Sequence, residues 1–533
     1  MRNRKSFCRR HPWLSGCLVC LILSALVVGW HARGPFHGYR ADLALPAAAG
    51  AATPAGDLRA GVAKEDITPD LSRYDTWVDR NGNGKYEPAQ GDFFEDTNGN
   101  GKVDAVWLAG FGNNRPAQGV HDPLWARAIA FENNGVRLVL VTVDSIGLFH
   151  EAVVDMRHRL NPALRIDHMV VSSLHNHEAP DTMGLWSVGL ERPFWRFDHA
   201  YLERVKTGVV KAAEEAVSRL TPVDTYLAER TVGPEGFVDD SRKPLVYDHR
   251  IRTARFVRKG TRDTLALLAV WGNHPETLGS GNPQITSDFC HYFREGVEKG
   301  VPEPNGAPGL GGMCLYFQGM VGGLMTQLHT TVPHRGGTAS FRAASFEKAQ
   351  ALGENLALQV LAMARETAES PMAGTGLAVA ASSVFVSPKP FFRFLLLLGF
   401  LHPGWHGPGQ FKTEVDALRI GDIEILTIPG ELYPEIGEGG VESPPGQDYA
   451  LSPVEVPPIR QEMKGKLNLI LGLANDEIGY IIPKSQWDVS APYAYGREKS
   501  PQYGEENSFG PEVAPAIHRA ALQQLRILHR IMP

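Results

Sequence analysis

The chain has 533 residues, 43% hydrophobic and 21% charged, with a formal net charge of −6. These values suit a globular protein holding one large catalytic domain or two to three ordinary ones. The 53 Lys and Arg against 59 Asp and Glu give no basis for nucleic-acid binding, and 56 Gly with 38 Pro argue for a loop-rich protein rather than a helical bundle.

Met1 to Pro12 carries Arg2, Arg4, Lys5, Arg9 and Arg10, and an apolar run from Trp13 to Trp30 follows. A basic stretch ahead of an apolar one is an export signal. No clean small-x-small cleavage site comes after it, so residues 1–33 read as either a removed signal peptide or a retained anchor. The chain is accordingly expected to be secreted, periplasmic or tethered to a membrane. The Ala-, Gly- and Pro-rich stretch 34–56 reads as a flexible tether, and a single catalytic domain is expected over 57–533. Of five cysteines only Cys290 and Cys314 lie in that body. In an exported chain they either pair or stay as buried thiols.

Two similar loops open the domain. Asp79, Asn81, Asn83 and Glu87 place oxygen donors at positions one, three, five and nine around a glycine, and Asp96, Asn98, Asn100 and Asp104 repeat the spacing. This is the front of a calcium loop, although Gln90 and Trp107 stand where the closing Glu is usual; Asp92 or Glu95 could substitute. The alternative is a pair of Asx-rich turns without metal. Because the pattern is duplicated, structural calcium at 79–104 is the expectation.

Val136 to Val143 reads as a central strand, Glu151 to Leu160 as a short helix, and Met169 to Ser173 as a second buried strand, together a βαβ unit. The second strand runs into Leu174-His175-Asn176-His177-Glu178. Two imidazoles two positions apart at a strand end are a metal-ligand arrangement; the plainer reading is a polar turn with surface histidines. Tyr201 to Leu220 is an amphipathic helix. Arg252 to Val257 and Leu265 to Trp271 form a hairpin that leads into Gly272-Asn273-His274. Met313 to Phe317 is a strand entering the turn Gly319-Met320-Val321-Gly322-Gly323. Ala344 to Glu366 is a long helix. Ala417 to Ile420 and Ile423 to Ile428 form a second hairpin, ending at Pro429-Gly430-Glu431. Leu469 to Leu473 leads to Asn475, Asp476 and Tyr480, and a final helix spans Pro515 to Ile531. The fold class expected is α/β, with mixed sheets, βαβ units and hairpins flanked by helices.

Four apolar strands thus end in a metal-capable donor: His175 with His177, His274, Glu431 and Tyr480. Functional groups of α/β sheets gather at carboxyl ends of strands. Two nitrogens and a carboxylate make a zinc set with room for water and substrate, and the tyrosine is either an oxygen donor to the ion or a hydrogen-bond donor to an oxyanion.

These residues resemble the neutral/alkaline, non-lysosomal ceramidase family over nearly all of the exported part. The family block AGVAKxDITP stands as Ala60 to Pro69, GxHDPLxARA as Gly119 to Ala128, and HTHSGPDT as His175 to Thr182. Further anchors are Asn273-His274-Pro275, Ile428-Pro429-Gly430-Glu431 and Ala474-Asn475 through Gly479-Tyr480. The resemblance implies a zinc amidase that cleaves the N-acyl bond of ceramide, with His175, His274, Glu431 and Tyr480 as ligands. His177 would stand beside the metal to polarise the carbonyl or move a proton.

Two departures mark the sequence. The family turn NxGDVSP, which carries a catalytic serine, aligns with Phe317 to Gly323, so the serine position is Gly322 and the aspartate position Met320. Metal-bound water would then be the nucleophile, with glycine N–H groups of the turn available to an oxyanion, or the substrate differs. The resemblance also stops short of the immunoglobulin-like C-terminal domain of familiar members. Phe391 to Leu401, very apolar but too short to span a bilayer, is either an interfacial or lid segment for a lipid-like substrate at a membrane surface or a buried core segment. The competing readings are a metal hydrolase of the same fold acting on another amide or ester, and a catalytically silent, envelope-anchored binding protein.

Overall fold

A computed structural model describes residues 23, 36–46, 56–187, 198–337, 339–366, 370–397, 405–406 and 409–531. The export segment expected over 1–33 lies outside the described residues apart from Leu23. Part of the expected tether is not a tether. Asp42–Leu45 forms strand β1, paired antiparallel with Leu377–Val386, and Leu43, Leu45 and Tyr39 pack on the core. Composition misleads here because the pairing partner lies more than 300 residues away.

The larger sheet has eight strands: β2 (Arg59–Asp66), β3 (Trp125–Asn133), β4 (Val136–Val143), β5 (His168–Ser173), β6 (Thr221–Thr231), β7 (Arg250–Arg258), β8 (Thr264–Trp271) and β9 (Met313–Gln318). Their order is β9-β8-β7-β6-β2-β3-β4-β5. The two outer pairs, β4 with β5 and β8 with β9, are parallel, and the pairs between them are antiparallel. The second sheet holds β1, β10 (Leu377–Val386), β11 (Trp405–His406), β12 (Gln410–Ile420), β13 (Ile423–Thr427) and β15 (Leu467–Leu471), ordered β1-β10-β12-β13-β15 with β11 on β12. Here β13 and β15 are the parallel pair. A short ribbon joins β14 (Glu431–Leu432) to β16 (Tyr480–Ile481), also in parallel.

The sheets face each other over one apolar core, with Ile129, Leu140, Val170, Phe256 and Leu268 of the larger meeting Val379, Leu418, Ile425 and Leu469 of the smaller. Strands buried on both faces read as unbroken apolar runs, and VRLVLVTV of β4 is one. Helix α1 (His150–Arg159) connects β4 to β5. Helix α2 (His199–Ser218) packs on β2 and β3, while α3 (Phe289–Lys299) and α4 (Phe346–Glu366) pair with each other, α3 also covering β9. Helix α5 (Pro390–Leu397) and the short α6 (Pro434–Glu438) and α7 (Ile459–Glu462) precede α8 (Val513–Ile531), which covers β10 and β12. The result is a mixed α/β domain with helices outside two facing sheets, as expected from the alternation of strand and helix patterns. Among the described residues no helix is long and apolar enough to cross a membrane.

In the apolar segment near 391, Phe392 packs beside Phe509 while Phe391 and Phe394 stay 62% and 57% exposed. Residues 398–404 lie outside the described set. Cys290 and Cys314 are buried free thiols.

Candidate metal centre

Each parallel pair delivers its carboxyl ends to one place. After β5 the backbone is pinned turn by turn: Leu174 N–H donates to Val143 O (3.0 Å), Asn176 N–H to Ser145 O (3.1 Å) and His177 N–H to Pro275 O (3.0 Å). His175 sits at φ 62°, a region that non-glycine residues adopt rarely and usually under functional constraint. After β8, His274 donates its N–H to Met325 O at 3.0 Å. Glu431 begins β14, and its Cα partner across that ribbon is Tyr480.

The ring nitrogens of His175, His177 and His274 lie within 4.8 Å of one another, and all three residues are buried. Glu431 Oε2 stands 3.0 Å from His274 Nε2 and 3.5 Å from His175 Nε2. Donors about 2.1 Å from a tetrahedral ion are separated by about 3.4 Å, so both distances suit a shared cation. The far nitrogens are fixed: His175 Nδ1 faces Ile146 O at 2.9 Å and His274 Nδ1 faces Met325 O at 2.7 Å. A carbonyl only accepts, so Nδ1 carries the hydrogen on each ring and a neutral ring turns its Nε2 lone pair toward Glu431. Two lone pairs and a carboxylate oxygen in contact require a positive charge between them. In the protein alone a proton on His274 supplies it, and a metal ion does so in its place.

The electrostatics agree. Burial pushes His175 down to about 4, partly opposed by Glu431. On His274 burial is outweighed by the Glu431 hydrogen bond and the Glu276 and Glu431 charges together, which lift it to about 9. His177 is driven well below the ordinary range by burial and by its two histidine neighbours. Neither of its ring nitrogens has a hydrogen-bond partner, although Nδ1 lies 3.3 Å from Glu276 Oε2. Orphaned buried nitrogens beside two other imidazoles mark a ring left free for a bound group or a moving proton. Tyr480 is pushed far up, first by burial and then by Glu431, so its phenol keeps its proton.

His175, His274 and Glu431 therefore converge with His177 beside them, and Tyr480 stands across the ribbon from Glu431. Glu276 and Glu477, both buried, face the same place and escaped the sequence reading. The available signal for Glu276 was its position two residues after His274. Phe111 stacks edge-on to His177 at 5.0 Å between centroids, and Arg115 beneath it donates to the carbonyls of Ala109 (2.7 Å) and His177 (3.2 Å) and to Glu178 (3.1 Å).

The glycine turn departs from expectation. Gly319 N–H is taken by Trp271 O and Gly322 N–H by Leu432 O, each at 3.0 Å, so neither is available to an oxyanion. A Cβ on Gly322 would come 2.4 Å from Tyr433 Cδ2, 2.6 Å from Tyr433 N and 2.7 Å from Glu431 O. Position 322 is glycine because the ligand ribbon lies directly against it.

The Asp79 and Asp96 loops both fold into Asx turns. Asp79 Oδ1 accepts from Gly82 N–H and Asp96 Oδ1 from Gly99 N–H, while the Asn83 amide donates to Glu87 at 2.6 Å and the Asn100 amide to Asp104 at 2.6 Å. In both loops the amide nitrogen of the fifth-position asparagine, rather than its oxygen, faces the ninth-position carboxylate. Asn81 Nδ2 meets Gln90, and Asn98 Nδ2 meets Asp104.

No protein-family model matches the sequence, and no curated protein does. Solved structures do. The neutral ceramidase from Pseudomonas aeruginosa superposes with a TM-score of 0.62 at 15% identity, covering 90% of this chain and 75% of that one. A ceramidase complexed with C2 gives 0.61 at 15% identity, covering 90% and 76%. The chain shares the fold of these ceramidases.

Proposed function

We propose that the chain is an exported zinc-dependent hydrolase of amide bonds in lipid-like substrates, with N-acyl sphingoid bases as the first class to test. The single observation that carries the reading is the convergence of His175, His177, His274 and Glu431 from three separate parallel strand pairs. The fold shared with ceramidases supports the lipid amide as substrate class.

Zinc, when bound, polarises a carbonyl and brings the pKa of water near neutrality. His175, His274 and Glu431 would hold it, with the Ile146 and Met325 carbonyls orienting the two rings. His177, 3.3 Å from Glu276, would with it take the proton released at the attack step and return it to the leaving amine. Tyr480 donates from its phenol to the substrate oxygen as charge grows there. Phe111 shields His177 from solvent on one side. The export segment and the exposed Phe391 and Phe394 would bring the domain to a membrane surface. Structural calcium at 79–104 is tested by heating: a melting temperature raised by calcium and lowered by a chelator supports it, and no change removes it.

The absence of a hydroxyl at Gly322, and of room for one, favours a second reading, hydrolysis of another amide or ester by the same centre. Zinc-loaded protein incubated with N-acyl sphingoid bases and with a panel of acyl amides and esters decides between them by released fatty acid. Turnover confined to the panel selects the second reading. No turnover of any substrate rejects both and leaves a binding protein.

A further inference from the structure

A second group of donors lies where the two sheets meet. Among the described residues only two sets of three or more His, Cys or carboxylate side chains bring ligand atoms within 4.8 Å of one another: the centre above, and His168, Glu414 and Asp416. Glu414 and Asp416 stand two apart on β12 and so share one face, which looks toward His168 at the start of β5. His168 Nε2 is 2.8 Å from Asp416 Oδ2 and 3.9 Å from Glu414 Oε1. His150, wholly buried on α1, places its Nε2 3.8 Å from Glu414 Oε2. Its Nδ1 faces the Asn475 carbonyl at 3.1 Å, so Nε2 carries the lone pair, and it points into the cluster without a partner.

The cluster leaves buried polar atoms of both kinds unpaired, Arg157 Nη2 among the donors. Arg157 serves Glu414 at 2.8 Å, and Asn475 Nδ2 serves Asp416 Oδ2 at 2.6 Å. Asp416 Oδ1 and His150 Nε2 then remain as buried acceptors with nothing to accept. Each such atom carries an uncompensated desolvation cost if left so. A carboxylate that already accepts from arginine keeps lone pairs free for a cation. The donor separations bracket the ~3.4 Å edge of a tetrahedral site, as they do at the first centre. Two imidazoles with two carboxylates suit zinc or manganese. A cavity of about 360 Å³, lined by Tyr39, Arg157, His168 and Met169 among others, reaches the His168 side of the cluster.

We propose that His168, Glu414 and Asp416, with His150 as fourth donor, form a second divalent-cation site of the zinc or manganese class. Its role is structural. It joins β5 of the larger sheet to β12 of the smaller. It also backs Asn475, whose Oδ1 accepts from Val171 N–H at 3.1 Å and whose chain runs on to Glu477 and Tyr480.

Metal content per chain tests this on full-length protein loaded with zinc or manganese and freed of excess. The expected counts are two ions in the wild type, one in the His175→Ala/His274→Ala variant and one in the His168→Gln/Asp416→Asn variant. Added metal should also raise the melting temperature of the His175→Ala/His274→Ala variant. One ion in the wild type and none in that variant, with no thermal response, overturns the second site while leaving the first intact, and means a buried water or shared proton only. These measurements decide the matter even where the His168 variant fails to fold.

Discussion

Glu431 Oε2 lies 3.0 Å from His274 Nε2 across 157 residues of chain, and 3.5 Å from His175 Nε2. The carboxylate comes from the β14–β16 ribbon beyond the end of the smaller sheet, whereas the imidazoles come from the larger sheet. Replacing it by the neutral, equal-sized amide in Glu431→Gln removes the charge that both rings face. Zinc affinity should fall by more than about tenfold and turnover with it, read by competition against a chromophoric chelator. Unchanged affinity would remove Glu431 from the site.

Gly322→Ser is expected to harm rather than to restore. The new Cβ meets Tyr433 N at 2.6 Å and Glu431 O at 2.7 Å, both backbone atoms that cannot rotate away. Overpacking of this kind costs about 1–3 kcal/mol, and denaturant unfolding should show it. Gained amidase activity with unchanged stability would contradict the geometry.

Gly110→Ala probes His177 from outside. Gly110 holds φ 99°, and a Cβ there would stand 2.4 Å from His177 Cγ. The ring must tilt, so turnover should drop at least about tenfold while the fold survives, since the strained loop is local. Circular dichroism beside kinetics separates the two effects.

Asp144 and Arg294 form a wholly buried pair at 2.6 Å just past the end of β4. Burial alone would raise the Asp144 pKa, but the Arg294 guanidinium and the Ser287 hydroxyl hold it below the usual carboxylate range. Its stabilisation is therefore full above an unfolded pKa of about 3.9 and lost as pH falls through the lower folded value. Asp144→Asn leaves Arg294 unpaired and should cost about 3–5 kcal/mol at neutral pH.

The lowered histidines act at higher pH. In metal-free protein His150 and His175 are each pushed down to about 4, first by burial. The unfolded chain binds those protons from about pH 6.5, so stability is whole above that value and falls between it and about 4. Their contribution to the melting temperature declines with falling pH across this window, and His150→Gln should remove its share, so the variant loses less on acidification than the wild type. A slope unchanged by that substitution would contradict the assignment.

Much of this was legible in the sequence because the signals are local. The run into His175, the hairpin into His274 and the hairpin into Glu431 each declare a strand by apolar content and a donor by position, and the structure brings them together. What escaped depends on distance. Asp42–Leu45 is a strand only because Leu377–Val386 lies beside it. Glu276 carries no signal of its own until His177 is folded against it. Gly322 reads as a lost hydroxyl, whereas its packing on Glu431 and Tyr433 accounts for a glycine there directly. The facing of two sheets, which buries His168 against Asp416, leaves no periodic trace in either strand.

The most direct test of the central claim is an anomalous-difference map from a zinc-loaded crystal, collected on both sides of the zinc absorption edge. The account predicts a strong peak about 2 Å from nitrogens of His175 and His274 and from the Glu431 carboxylate. A map with no peak among these side chains, at full zinc loading, would contradict it.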